Sequence, residues 1–226
     1  MLLLESKLLQ WILGEECADT IVDLCTRRLS SAYGYSCISD IQILSPTRKG
    51  ILGTLELNRR IQNIINPKSE NKREINVNTH ILREGDKVMQ NKNNYNINWV
   101  KENGEFGEGV FNGDIGILEE INNSTHLVKV SFDDKIAMYD TDSLSDLELA
   151  YACTVHKSQG NEFEAVVMPI HNFPPQLMYR NLLYTAVTRA KKMLILVGDQ
   201  NAVKRMVNNN KRIARFSGLK YFLTTE

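Results

Sequence analysis

The sequence predicts an α/β protein: a parallel sheet covered by helices, interrupted by a small β-rich insertion. Three observations carry this. Short, mostly apolar runs at Ile41–Leu44, Ala165–Met168 and Met193–Val197 alternate with helical patterns, as buried parallel strands do. Between the first and second run lies a stretch of turn signals and short alternating segments. Finally, 226 residues with 42% hydrophobic and 24% charged side chains are enough to bury a core.

Taken in order, the residues up to about Tyr35 read as helical. Leu8, Leu9, Ile12 and Leu13 recur at helical spacing, as do Ile21, Val22, Leu24, Cys25 and Leu29. Asp19-Thr20 suits a helix entry and Gly34 a helix exit. Ile41–Leu44 forms a strand, which Ser45-Pro46-Thr47-Arg48-Lys49-Gly50 breaks. A helix with Ile51, Leu55, Ile61, Ile64 and Ile65 follows, and Pro67 closes it. The polar stretch Lys68–Glu74 reads as a linker.

Gly85-Asp86, Asn103-Gly104, Asn112-Gly113-Asp114 and Asn122-Asn123 mark turns. Strands are expected at Lys87–Gln90, Ile115–Glu119, His126–Phe132 and Lys135–Tyr139. The Asn91–Asn98 cluster suggests a mobile loop. Tyr95, Trp99 and Phe106 in this polar region suit either base stacking or local packing. After Ser145 the texture changes. Leu147–Cys153 reads as a strand or partly as helix, Leu177–Val187 and Ala202–Val207 as helices, with strands at Ala165–Met168 and Met193–Val197.

No apolar run approaches the ~20 residues needed to cross a bilayer, and Met1–Leu4 is too short for a signal peptide. Cys17, Cys25, Cys37 and Cys153 show no CxxC spacing, so reduced thiols and a cytoplasmic location are expected. His80, His126, His156 and His171 are scattered, and no metal site is expected. Lys+Arg and Asp+Glu are 27 each, which argues against a simple polyanion-coating protein. The charges are nonetheless segregated. Acids dominate from Glu102 to Glu148 and bases from Arg180 onward, including Lys211, Arg212, Arg215 and Lys220.

Three segments place cations and hydroxyls beside apolar strands, where ligands of open α/β sheets bind. Arg48 follows the Ile41–Leu44 strand and precedes a helix. Arg189 ends a helix just before the Met193–Val197 strand; it suits either a helix-dipole contact or a phosphate contact. Thr154, His156, Lys157, Ser158, Gln159, Gly160 and Glu162 form a dense polar run. Its hydroxyls and amides suit phosphate contacts, while His156 alone suits a structural hydrogen bond.

ILSPTRKG, TVHKSQGNEF and LLYTAVTRAKK resemble helicase motifs IV, V and VI of superfamily 1 DNA helicases. Together with GDKVMQNKNNY and VFNGDIG they are most similar to the RecD-like branch, the exodeoxyribonuclease V alpha subunit family. The resemblance runs from about Ile38 onward and implies a RecA-like (P-loop NTPase-type) sheet with a small SH3-like β-barrel insertion. Residues 38–75 and 145–226 would form the motor domain and 76–144 the insertion. Residues 1–37 would lead in from a first motor domain. It implies that Arg48 and Arg189 project from one sheet toward the γ-phosphate of ATP. Gln159, Gly160 and Glu162 would couple nucleotide state to DNA. Thr154, His156, Lys157, Ser158 and Tyr95 would contact single-stranded DNA. ATP and Mg²⁺ would be held mainly by the first RecA-like domain, because no G-x-x-x-x-G-K-[ST] occurs in these residues. The chain alone would then be inactive, a C-terminal piece of a 5′→3′ helicase of repair and recombination. Its expected partners are the first domain, single-stranded DNA, other exodeoxyribonuclease V subunits, and no membrane. The alternative is a nucleic-acid-binding module or a regulatory subunit without ATPase activity.

Overall fold

The computed structural model describes residues 5–9, 14–78, 80–122, 124–125 and 127–210. Their strands form a five-stranded sheet, a seven-stranded sheet and a two-stranded hairpin. The five-stranded sheet comprises β1 (Glu5–Leu9), β2 (Ile41–Ser45), β12 (Ala152–Thr154), β13 (Phe163–Ile170) and β14 (Ala190–Gly198). Its order is β1-β14-β13-β2-β12 and every pair is parallel. All five residues of β2 are buried, because helices cover both faces of the sheet.

Helix α1 (Gly14–Asp23) runs through a π turn at Leu24–Arg28 into α2 (Leu29–Tyr33). It stops at Gly34, whose φ of 72° is the left-handed conformation that ends a helix. Cys17, Ala18, Ile21, Cys25 and Leu29 supply its buried stripe. The helical expectation holds for this part, although α1 begins at Gly14 and not at the expected Asp19-Thr20 entry, which lies inside it, and it fails for Leu8 and Leu9. They lie in β1, paired with Leu196 and Val197, since a short apolar run does not by itself separate strand from helix. Ile12 and Leu13 lie outside the described residues, as do Asn123, His126 and the basic residues Lys211, Arg212, Arg215 and Lys220.

Helix α3 (Thr54–Ile65) buries Leu57 and Ile61. Its buried Asn58 donates to the carbonyls of Leu149 and Ala152 and accepts from the Ala152 amide, at 2.9, 2.8 and 2.7 Å. On the other face, α4 (Arg180–Val187) and α5 (Gln200–Asn208) bury Leu182, Leu183, Ala186, Ala202 and Met206.

The insertion begins with a hairpin of β3 (Glu74–Val77) and β4 (His80–Arg83). The antiparallel sheet follows: β5 (Lys87–Gln90), β6 (Asn94–Lys101), β7 (Phe106–Val110), β8 (Ile115–Asn122), β9 (Leu127–Phe132), β10 (Lys135–Tyr139) and β11 (Leu147–Leu149). The order β11-β5-β8-β9-β10-β6-β7 is open among the described residues, so the expected small barrel appears as an open seven-stranded sheet. Most of the Asn91–Asn98 cluster, expected as a mobile loop, lies in β6. There Ile97 turns inward and its polar neighbours stay outside, a pattern that composition hides. The chain passes from one sheet to the other at Ala150–Tyr151, between β11 and β12.

Two buried ionisable groups sit at this junction. Asp86 accepts hydrogen bonds from Gln62, Asn66 and Tyr151 side chains at 2.6, 2.7 and 3.0 Å, and from the Arg83 amide at 2.7 Å. Burial nevertheless raises its pKa. Lys87 Nζ donates to the Ile41 carbonyl at 3.2 Å, and burial lowers its pKa to about 8.

Candidate functional site

Arg48 lies in the loop beyond the carboxyl end of β2. Ser45 Oγ shapes that loop by donating to the Leu52 carbonyl at 2.7 Å. Gly53 is required there, because a Cβ would stand 2.6 Å from the Arg48 carbonyl oxygen. The Arg48 side chain is 57% exposed, and its Nη2 lies 3.6 Å from Glu148 Oε2. Glu148 Oε1 in turn accepts from Lys157 Nζ, which also donates to Asn91 Oδ1. One carboxylate on β11 thus joins cations from two of the predicted motifs.

The Thr154–Glu162 run is a compact turn that leaves the carboxyl end of β12 and returns to the amino end of β13. Half-buried Thr154 accepts the amides of Lys157 and Ser158 at its carbonyl, at 2.9 and 3.3 Å. Exposed His156 places Nε2 3.1 Å from Tyr179 Oη. Ser158 corrects an expectation. It is buried and its hydroxyl donates to the Val155 carbonyl at 2.8 Å, so it closes the turn instead of facing a strand. Gln159 and Gly160 are exposed, with Gly160 at φ 96°. Glu162 borders a cleft of about 640 Å³ between the two sheets, together with Asp114, Asn161 and Lys87.

Arg189 immediately precedes β14. Its Nη1 donates to the Asn161 carbonyl at 3.0 Å and its Nη2 to Thr188 Oγ1 at 3.4 Å. Its Nε is buried without a partner, and it makes no ion pair among the described residues. The expectation that Arg48 and Arg189 project from one sheet toward a single γ-phosphate is corrected here. The strands are parallel, so the two backbones leave the sheet at opposite ends. Phe163 is level with Ala190, and Ser45 lies two residues past the Ile43–Val167 pair, a separation of roughly 20 Å at ~3.3 Å per residue. The Thr154–Glu162 turn bridges those ends.

Tyr95 is 65% exposed and packs edge-on against Phe111 at 5.8 Å. This pair lies at the end of the insertion that carries Asn91 and Gly113, which contact the turn through Lys157 and Asn161. Phe106 is exposed at the other end of the β6–β7 hairpin. Trp99 packs locally between Lys101 and Lys135, 5.7 and 4.6 Å from its ring. Glu148, Asn161 and Asn91 were not singled out by sequence. Arg48 and Glu148 are far apart along the chain, and no local pattern announces such a pair. All four cysteines are free and buried. Among the described residues no cluster of His, Cys, Asp or Glu is grouped to hold a metal, and no helix is long and apolar enough to cross a membrane.

Residues 57–132 match the SH3 domain of ATP-dependent RecD-like DNA helicases, and residues 149–197 match the UvrD-like helicase C-terminal domain. The chain is 33% identical over 162 residues to the ATP-dependent RecD2 DNA helicase of Deinococcus radiodurans, covering 72% of this chain and 20% of that protein. It is 34% identical over 116 residues to the RecBCD enzyme subunit RecD of Mycobacterium tuberculosis, covering 51% and 20%. The chain therefore spans 20% of the length of each of these two relatives. A Bacteroides Pif1 helicase, solved with ADP-AlF3 and ssDNA, aligns over 94% of this chain and 50% of its own, at 17% identity and a TM-score of 0.48.

Proposed function

We infer, for a chain that belongs to the RecD-like superfamily 1 DNA helicases, that it is the C-terminal motor half of an ATP-dependent 5′→3′ helicase of DNA repair and recombination. Arg189 carries the reading. Its guanidinium is half-buried at a helix end and free of any described carboxylate, and only two of its five N–H donors are used, on the Asn161 carbonyl and Thr188 Oγ1. Such a group fits a phosphate arriving from another lobe, since planar, permanently charged donors match phosphate oxygens. When bound, ATP supplies the free energy of phosphoryl transfer to water. Arg189 would neutralise charge on the terminal phosphate, a role worth about 10³–10⁵ in rate. The phosphate cradle and the Mg²⁺ ligands are assigned to a first RecA-like domain, because these residues contain no P-loop motif.

Gln159, Gly160 and Glu162, on the turn between the two strand ends, would couple nucleotide state to DNA. Thr154, His156 and Lys157, with the Tyr95–Phe111 pair, would form the path of single-stranded DNA. Arg48, at the carboxyl end of β2, is assigned to that same side. Four buried thiols fit a reducing cytoplasm. The exposed Tyr95–Phe111 pair also favours a second reading, a strand-binding module without motor activity.

The test joins this segment to its P-loop domain in one polypeptide. Arg189→Ala is expected to lower DNA-stimulated ATPase about 10³-fold without loss of fold. Unchanged turnover would end the assignment and leave the binding-module reading. Subunits of exodeoxyribonuclease V are further expected partners, to be sought by co-purification with that full polypeptide.

A further inference from the structure

We propose that Glu148 is a displaceable counter-ion, holding Arg48 and Lys157 until phosphates of a single-stranded nucleic acid replace it. The proposal rests on the strand path inferred above and names what gates it.

Three elements meet at one carboxylate: the loop after β2, strand β11, and the turn after β12. Glu148 is only 16% exposed, whereas Arg48 is 57% and Lys157 25% exposed. The acid is therefore recessed and the cations stand outside it, where an incoming anion meets them first. Two cations share one carboxylate, which leaves an excess positive charge. The Arg48 contact, at 3.6 Å, is longer than the ~2.7–2.9 Å of a charge-assisted hydrogen bond, so most guanidinium donors remain available. The Arg48 pair, long and with a largely exposed guanidinium, is weak and exchanges readily. A backbone phosphate carries a full charge and several acceptor oxygens, and it can take either cation without deforming the sheet. The Tyr95–Phe111 pair lies at the end of the insertion that Lys157 reaches through Asn91, so a strand held there has a stacking surface near its phosphates.

Binding of a labelled oligo-dT to the chain, followed by fluorescence anisotropy across a salt series, tests this. Glu148→Gln is expected to bind about fivefold tighter at low salt, as one exposed pair is relieved. Its log–log salt slope should steepen by about 0.7 for each additional phosphate neutralised. Arg48→Ala and Lys157→Met should each flatten the slope by about 0.7. Equal melting temperatures show that all variants fold. Wild-type affinity and slope in Glu148→Gln overturn the proposal, and if Arg48→Ala and Lys157→Met still flatten the slope, the strand path itself survives. Unchanged slopes in those two variants remove the strand path from this site, and the proposal with it. Tighter binding of ATP without tighter binding of oligo-dT would place a triphosphate at this carboxylate and overturn the strand assignment.

Discussion

Asn161 Nδ2 donates to the Gly113 carbonyl at 3.0 Å, and through this bond the turn that holds Arg189 is tied to the insertion. The Asn161 carbonyl receives Arg189 Nη1 at 3.0 Å, so one residue touches both. Asn161→Ala keeps the backbone contact and removes the tie. Urea denaturation should show a loss of about 0.5–1.5 kcal/mol, the worth of one part-buried hydrogen bond. In the joined motor polypeptide, stimulation of ATPase by DNA should fall more than basal turnover. Equal loss of both would mean that the tie supports the fold and carries no signal.

Deleting residues 76–142 extends that logic to the whole insertion. Unwinding should suffer more than ATPase, because Arg189 and the parallel sheet remain. Parallel loss of both activities would show that the insertion is needed to hold the motor lobe together.

Lys87 predicts an alkaline signature. Its folded pKa is about 8, against a usual 10.5, because burial disfavours the ammonium. Between these values the unfolded chain binds more protons at Lys87 than the folded one does, so the Lys87 contribution to stability rises as pH rises from about 8 to 10.5, against the alkaline fall from the four buried thiols, whose pKa values burial raises. Lys87→Met removes the buried charge and forfeits the bond to the Ile41 carbonyl. The net change at pH 7 should be a gain of about 1–3 kcal/mol, with a steeper alkaline fall than in the wild type, since the opposing Lys87 contribution is gone. A denaturation series over pH 7–11 checks both, and a wild-type slope above pH 8 in the variant contradicts the assignment.

Glu56 predicts the opposite limb. Hydrogen bonds from Arg59 and Arg60 hold its pKa at about 2, below the usual 4.5. Its contribution is therefore complete above pH 4.5 and is lost as pH falls toward 2. Arg60 also reaches Glu15 and Asp19, which fastens α3 to α1. Glu56→Gln should flatten the acid limb of the stability profile, measured by thermal melts between pH 2 and 6.

Asp86 joins α3, β4 and the Ala150–Tyr151 crossing by accepting four hydrogen bonds. Asp86→Ala strands those donors in the interior and should cost about 3–5 kcal/mol. A loss below ~1 kcal/mol in urea denaturation would show that the donors find other partners.

The sequence alone determined the parallel sheet and the helices that cover it. Strands β2, β13 and β14 are largely buried, so each carries a short, mostly apolar run that needs no partner to be recognised. The motif segments were equally legible, because their chemistry is packed into a few consecutive residues. Strands β1 and β6 were not. The Leu-rich stretch of β1 satisfies helix and strand periods alike, and β6 is an Asn-rich strand whose place is set by pairing with β7 and β10. Only the tertiary structure decided how the site is wired. Glu148 meets Arg48, Asn161 meets Gly113, and the two arginines leave the sheet at opposite ends. Such facts depend on strand order, direction and turn closure, which bring together residues widely separated along the chain.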